Sequence, residues 1–159
     1  MGLGLGLPKY ATSMENILSA AESYPGVSRV KVALDLNLGF AVTEDVFIIV
    51  VVDGCGDRLS DSSSWMQLNS YLFSAGLRYY PMRTGLYLGA GAGAAKQAVT
   101  DSSGTNVSSP TGFGWGAGIG YDFGKATGFG LALEAKYDSL SIENDKTGIF
   151  LLTVNLLWK

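Results

Sequence analysis

The chain has 159 residues, of which 47% are apolar, only 16% are charged and 22 are glycine, with a formal charge of −3. Charged residues fall well below the roughly 25% of an ordinary soluble domain, and the acidic balance gives a nucleic-acid partner no electrostatic support. The absence of any histidine removes Ser-His-Asp and Cys-His hydrolases, imidazole proton shuttles and His-ligated metal sites.

Leu3, Leu5 and Leu7 alternate with Gly2, Gly4 and Gly6, which predicts a short first strand. Thr12-x-x-Glu15 has the form of a capping box ahead of Met14, Ile17, Leu18 and Ala21, so a short helix over Ser13–Tyr24 is predicted within a long loop, Lys9–Val27. In the second strand, Val30, Val32, Leu34, Leu36, Leu38 and Phe40 alternate with Lys31, Ala33, Asp35, Asn37 and Gly39. Val46–Asp53 is a β-branched third strand, apolar on both faces, and Leu68–Tyr80 and Leu86–Lys96 follow as the fourth and fifth. Phe113, Trp115, Ala117, Ile119 and Tyr121 alternate with Gly112 to Gly120 in the sixth. Phe129–Tyr137 and Thr147–Trp158 complete about eight strands, because no helix could present these sets on one face.

The connections alternate in length. Ala41–Asp45, Pro81–Thr84 and Phe123–Thr127 read as short turns, whereas Lys9–Val27, Gly54–Trp65, Gln97–Gly112 and Leu140–Lys146 read as longer, polar loops. The predicted fold is therefore all-β: one eight-stranded antiparallel up-and-down barrel over residues 1–159, with the short helix in its first long loop. A tight turn near Lys125 would put Glu134 opposite Gly116, Lys136 opposite Gly114, Leu133 opposite Ala117 and Ala135 opposite Trp115. The turn at Pro81–Thr84 would put Arg78 opposite Tyr87 and Tyr79 opposite Leu86. Both hairpins then keep one continuous apolar face, as register requires when that face is buried.

Two environments could take that face. Its opposite is mostly glycine, alanine and isolated charges, a poor solvated surface, so the expectation is a transmembrane barrel with Leu, Val and Phe toward lipid. Phe40, Tyr79, Tyr80, Tyr121, Phe123 and Trp158 near the turn ends read as an interfacial girdle. A soluble lipid-binding barrel is the weaker alternative. No run approaches the ~20 apolar residues of a spanning helix, and no basic-then-apolar leader opens the chain. The start is thus expected to be that of a cytosolic protein or of a mature chain with an added Met1. Cys55, the single cysteine, is expected to be a lone loop thiol.

Leu77-Arg78-Tyr79-Tyr80-Pro81 with Tyr87–Gly93, and Gly114–Tyr121 with Leu133–Tyr137, resemble successive hairpins of the small bacterial outer-membrane barrels of the OmpA/OmpX/OmpW type. The resemblance spans residues 28–158 and implies location in the bacterial outer membrane. Such barrels usually end on an aromatic residue, whereas here Lys159 follows Trp158. The members that act on lipids or peptides use a histidine, so no enzyme activity is expected.

Gly2-x-Gly4-x-Gly6 and Gly89-x-Gly91-x-Gly93 lack both the dinucleotide-binding spacing and a following helix. Asp53, Asp57 and Asp61 do not have calcium-loop intervals and read as a solvated acidic loop. No cofactor, metal site or catalytic residue is expected. The informative set is the lumen-facing Lys31, Asp35, Asn37, Arg78, Tyr80, Tyr87, Glu134 and Lys136, which must pair or hydrate inside so narrow a barrel. They form either a plugging ion-pair network or a gate. The expected function is a largely plugged monomeric barrel in the lipid bilayer, contacting a host or environmental ligand through its long loops. The alternative is a narrow channel for small or hydrophobic solutes, with Phe47, Ile49 and Val51 or their neighbours facing the glycines across the lumen, as in OmpW-like barrels. The rim acids counted toward those loops are Glu15, Glu22, Asp53, Asp57, Asp61, Asp101, Glu143 and Asp145.

Overall fold

The computed structural model describes residues 1–81, 84–124 and 129–158, apart from the side chains of Ser13, Phe129, Leu157 and Trp158. The elements are β1 Gly2–Lys9, α1 Thr12–Glu22, β2 Ser28–Ala41, β3 Val46–Ser60, β4 Trp65–Tyr79, β5 Leu86–Asp101, β6 Asn106–Ser108, β7 Gly112–Asp122, β8 Phe129–Ile142 and β9 Asp145–Trp158. Eight of the strands pair antiparallel in the order β4-β3-β2-β1-β9-β8-β7-β5, and β4 also pairs with β5, so the sheet is a closed cylinder in which the first strand meets the last. The three-residue β6 adds to the outer end of β5 alone. The predicted barrel is thus present.

Alternation assigns the faces. Leu3, Val32, Leu38, Val50, Leu77, Leu131, Leu133, Leu152 and Val154 all point outward and are exposed, while glycines, polar groups and some apolar residues point into the lumen. No soluble core could leave so many large aliphatics bare on every stave, since the largest apolar patches of soluble monomers cover a few hundred Å². Phe40, Tyr79, Tyr121 and Phe123 of the expected girdle also face outward. Tyr80 does not: its ring lies 5.4 Å from that of Tyr87 and 5.6 Å from that of Phe47, inside the wall. The Trp158 indole and the turn around Lys125 lie outside the described residues.

Parity survives but register moves. Glu134 is opposite Gly120 and Lys136 opposite Gly118, with Leu133 against Tyr121 and Ala135 against Ile119, four positions from expectation. Arg78 is opposite Gly89 and Tyr79 opposite Leu88, two positions away. An even shift centres each turn one or two residues later and leaves every side chain on its predicted face.

Three long loops are shorter than predicted: β5 runs on to Asp101, past the expected loop start at Gln97. Strand β3 continues to Ser60, leaving Asp61–Ser64 as the connection, and β8 meets β9 through Glu143 and Asn144 alone. Glu143 supplies the left-handed backbone (φ 54°) that so tight a hairpin needs. Gly54 and Gly56 were misleading punctuation, for both sit on the outward face of β3. A Cβ on Gly54 would lie 3.6 Å from the Tyr71 ring, which covers it from β4. Strands of 14 to 16 residues greatly exceed the ~10 needed to cross a bilayer, so the barrel continues beyond the apolar belt at its long-loop end.

Helix α1 forms where predicted, without the capping box. Ala11 is its N-cap and no side chain caps it, while Thr12 is already helical. The Glu15 carboxylate is drawn instead to Arg29, 3.5 Å away.

Candidate functional site

Side chains enter the lumen in two tiers. Nearer the short turns, strands β2, β3, β4, β5 and β8 bring Asp35, Asn37, Asp53, Arg78, Tyr87, Glu134 and Lys136 together. Lys136 Nζ donates to Asp35 Oδ2 and Asp53 Oδ1, both at 2.8 Å, and lies 3.7 Å from Glu134 Oε1. Arg78 Nη2 donates to Glu134 Oε2 at 3.3 Å and to Asn37 Oδ1 at 3.4 Å. Asn37 Nδ2 in turn donates to Asp35 Oδ1. The Tyr87 hydroxyl donates to Glu134 Oε2 at 2.8 Å, and the Arg78 guanidinium lies 4.3 Å above the Tyr87 ring. One hydrogen-bonded web thus spans the cylinder.

Seven of the eight expected lumen residues belong to this cluster, six through hydrogen bonds and Tyr80 through ring packing on Tyr87. Lys31 does not join it; it sits opposite Asp57, further toward the long loops. Sequence reading missed Asp53 and Asp57, placed in a solvated loop, and left Asp138 out of the lumen set although it alternates on the same face as Glu134 and Lys136. All three are buried in the lumen: Asp53 under Lys136, Asp57 under Arg29, and Asp138 with an oxygen that lacks a hydrogen bond. The signal was available, since Phe47, Ile49, Val51, Asp53, Cys55, Asp57 and Leu59 continue one alternation without a break. Cys55 is accordingly a buried lumen residue rather than a loop thiol.

The outer tier is apolar. Ala33, Cys55, Ala95, Leu140, Ile142, Ile149 and Leu151 form one layer. Above it Tyr10, Leu59 and Leu68 meet Leu18 of α1, which is fully buried, so the helix lies across the mouth. Arg29 fastens it: Nη1 reaches Glu22 at 3.1 Å, and Nε and Nη2 form a fork on Asp57 at 2.8 and 2.6 Å. Bidentate guanidinium–carboxylate geometry fixes direction as well as distance.

Glycine makes room for this filling. A Cβ on Gly114 would come within 2.7 Å of Leu72 Cδ1, and one on Gly120 within 2.7 Å of Tyr87 Cε1; Asp138 occupies the space at Gly116. Of the two sets left open on β3, Phe47, Ile49 and Val51 face the lumen, yet the space at the facing glycines is occupied. A cavity lined by Ile49, Val51, Asp53, Ser74, Glu134 and Lys136 among others measures about 20 Å³, which holds a single water.

At the loop tips, the Asp61 carboxylate is held down at about 2 by N–H and O–H donors of Ser63 and Ser64. Asp101 is likewise lowered, chiefly by the Ser103 hydroxyl. Among the described residues no group of acids or Cys55 is arranged to hold a metal ion.

An outward apolar belt around a closed antiparallel cylinder is the arrangement of a membrane barrel, and the family comparison agrees: the profile of the outer membrane protein beta-barrel domain matches residues 1–156. The chain belongs to that family. This barrel therefore resides in the bacterial outer membrane. Among solved structures it is similar to Ail, the attachment invasion locus protein of Yersinia pestis, at 14% identity and TM-score 0.57, covering 98% of this chain and 94% of that one. Ail in complex with the heparin analogue sucrose octasulfate gives 16% and 0.56, with the same coverage. Neisserial surface protein A gives 14% and 0.54, covering 96% and 92%. At such identities the likeness establishes the fold alone. No curated protein matches the sequence.

Proposed function

We propose that this protein is a non-enzymatic surface-interaction barrel, monomeric in the bilayer, whose lumen is closed by its own side chains and whose long-loop end meets a ligand outside the cell. The observation that supports this reading is the web centred on Lys136 and Glu134, which bridges five strands beside a cavity the size of one water. Above it, α1 and the outer apolar tier add a second obstruction. Ail and Neisserial surface protein A are described as attachment and surface proteins, which accords with a role at the exposed end. The loop surface here is acidic, with Glu15, Glu22, Asp61, Asp101, Glu143 and Asp145 remaining from the expected rim. A cationic ligand therefore suits the tips better than a sulfated sugar.

Planar-bilayer recording tests the closed lumen. The wild-type protein should show at most rare, small openings, and Arg78→Ala or Glu134→Ala should make them more frequent. Steady wild-type conductance would overturn the proposal and support the narrow channel.

A further inference from the structure

Eight lysine and arginine side chains fall among the described residues, and they divide cleanly. Arg29, Lys31, Arg78 and Lys136 face the lumen; Lys9, Arg58, Lys96 and Lys146 occupy outward positions and are exposed. No acidic residue occupies an outward-facing strand position: Asp35, Asp53, Asp57, Asp122, Glu134 and Asp138 point inward, and the rest sit on α1, in turns or at strand ends of lumen parity. All four outward cations lie toward the long-loop end of their strands, at the border of the apolar belt.

Two of them share one surface. Lys9 of β1 is directly opposite Gly148 of β9, and Gly148 is directly opposite Ser139 of β8. Lys146 stands two residues along β9 from Gly148 and opposite Ser141. Diagonal neighbours of this kind lie about 7–8 Å apart, within joint reach of one phosphate group. Gly148 contributes no side chain, so the middle of the patch is bare backbone. The Tyr137 phenol leans over it, and a Cβ there would meet the ring at 3.1 Å from Cζ. Neither lysine makes an ion pair among the described residues, although Glu143 and Asp145 lie in the adjoining hairpin turn. Directly below the patch the wall becomes apolar at Leu7, Phe150 and Leu152, all exposed.

We propose that Lys9, Lys146, Ser139, Ser141 and Tyr137 form a site for the phosphate of a phosphorylated lipid headgroup in the outer leaflet. The cations supply charge, the hydroxyls supply donors, and the contiguous apolar wall receives the acyl chains of the same molecule. That continuity commits the occupant to a lipid: a free anion would gain nothing from the wall and would approach past the acidic tips. The inference rests on the outer-membrane location and not on the closed lumen.

The test uses the full chain refolded in micelles and native mass spectrometry with a phosphorylated, acylated disaccharide lipid and its dephosphorylated form. Folding of each variant is checked by heat-modifiable mobility, which exposed lysine changes should leave intact. The wild type should carry one phosphorylated lipid, and Lys9→Gln/Lys146→Gln should weaken this about thirty-fold, the ~2 kcal/mol of two surface cations. Lys96→Gln, three strands away from β9, should leave binding unchanged. Equal adducts on wild type and double variant, or equal binding of the dephosphorylated lipid, would overturn the site. An equal loss in Lys96→Gln would reduce it to general charge attraction. Displacement of the lipid by millimolar inorganic phosphate would mean a free-anion site and would overturn the lipid assignment.

Discussion

Replacing Lys136 with methionine is the sharpest probe of the lumen. The residue is 8% exposed and its ammonium serves carboxylates of residues that are themselves buried: Asp35 at 0%, Asp53 at 3% and Glu134 at 2%. Methionine keeps most of the volume and removes the charge, leaving three carboxylates with Arg78 as their remaining bonded cation. A cavity of about 20 Å³ admits one water, too little to rehydrate three anions. Removing one partner of a buried ion pair costs about 3–5 kcal/mol, whereas an exposed change such as Lys96→Met should stay within about 0.5 kcal/mol. Urea titration in micelles, followed by heat-modifiable mobility and tryptophan fluorescence, reads both. Adding Asp35→Asn and Asp53→Asn to Lys136→Met should recover part of the loss, because neutral amides need no counter-charge. A Lys136→Met protein as resistant to urea as Lys96→Met would refute the reasoning and show the lumen to be hydrated.

Two further outcomes follow from the outer face and the mouth. Leu133→Arg places a cation on the lipid-facing wall and should cost about 2–4 kcal/mol near mid-membrane, measured by the same titration in lipid vesicles; an unchanged midpoint would contradict the outward assignment. Arg29→Ala removes the fork on Asp57 and the contacts to Glu15 and Glu22, so amide exchange across Leu18–Ser23 should accelerate at least tenfold while strand amides stay protected; unchanged helix protection would show that the Leu18 packing alone holds α1.

The strand faces were legible because alternation is a local property. One residue in two of β2, β7 and β8 is apolar, and that parity places Asp35, Glu134 and Lys136 inside whatever the register. The register itself depended on turn lengths, which is why Glu134 met Gly120 rather than Gly116. Gly54 and Gly56 concealed the outer half of β3, since glycine in a strand usually signals its end; only the Tyr71 ring packed across Gly54 from another strand explains its place. The partners within the lumen were not legible either. Which carboxylate Lys136 takes depends on how five staves converge across the axis, and Asp53 lies 83 positions away along the chain. The fastening of α1 was hidden for the same reason, for Arg29 reads as an ordinary strand residue until Asp57 and Glu22 are seen beside it.

The pairing of β1 with β9 bears on how such a chain can acquire its structure. Gly2 lies beside Asn155, and eight consecutive residues of the first strand pair with the last, so the contact that closes the cylinder spans nearly the whole length of the polypeptide. Until β9 is available, a nascent chain exposes two unsatisfied strand edges and a full apolar face, a combination that invites association with other chains. Closure over so great a sequence separation is entropically slow, whereas the adjacent hairpins form locally. Partly made chains therefore gain little from early ordering, and escort in an unfolded state until the final strand can meet the first is the path that this topology favours.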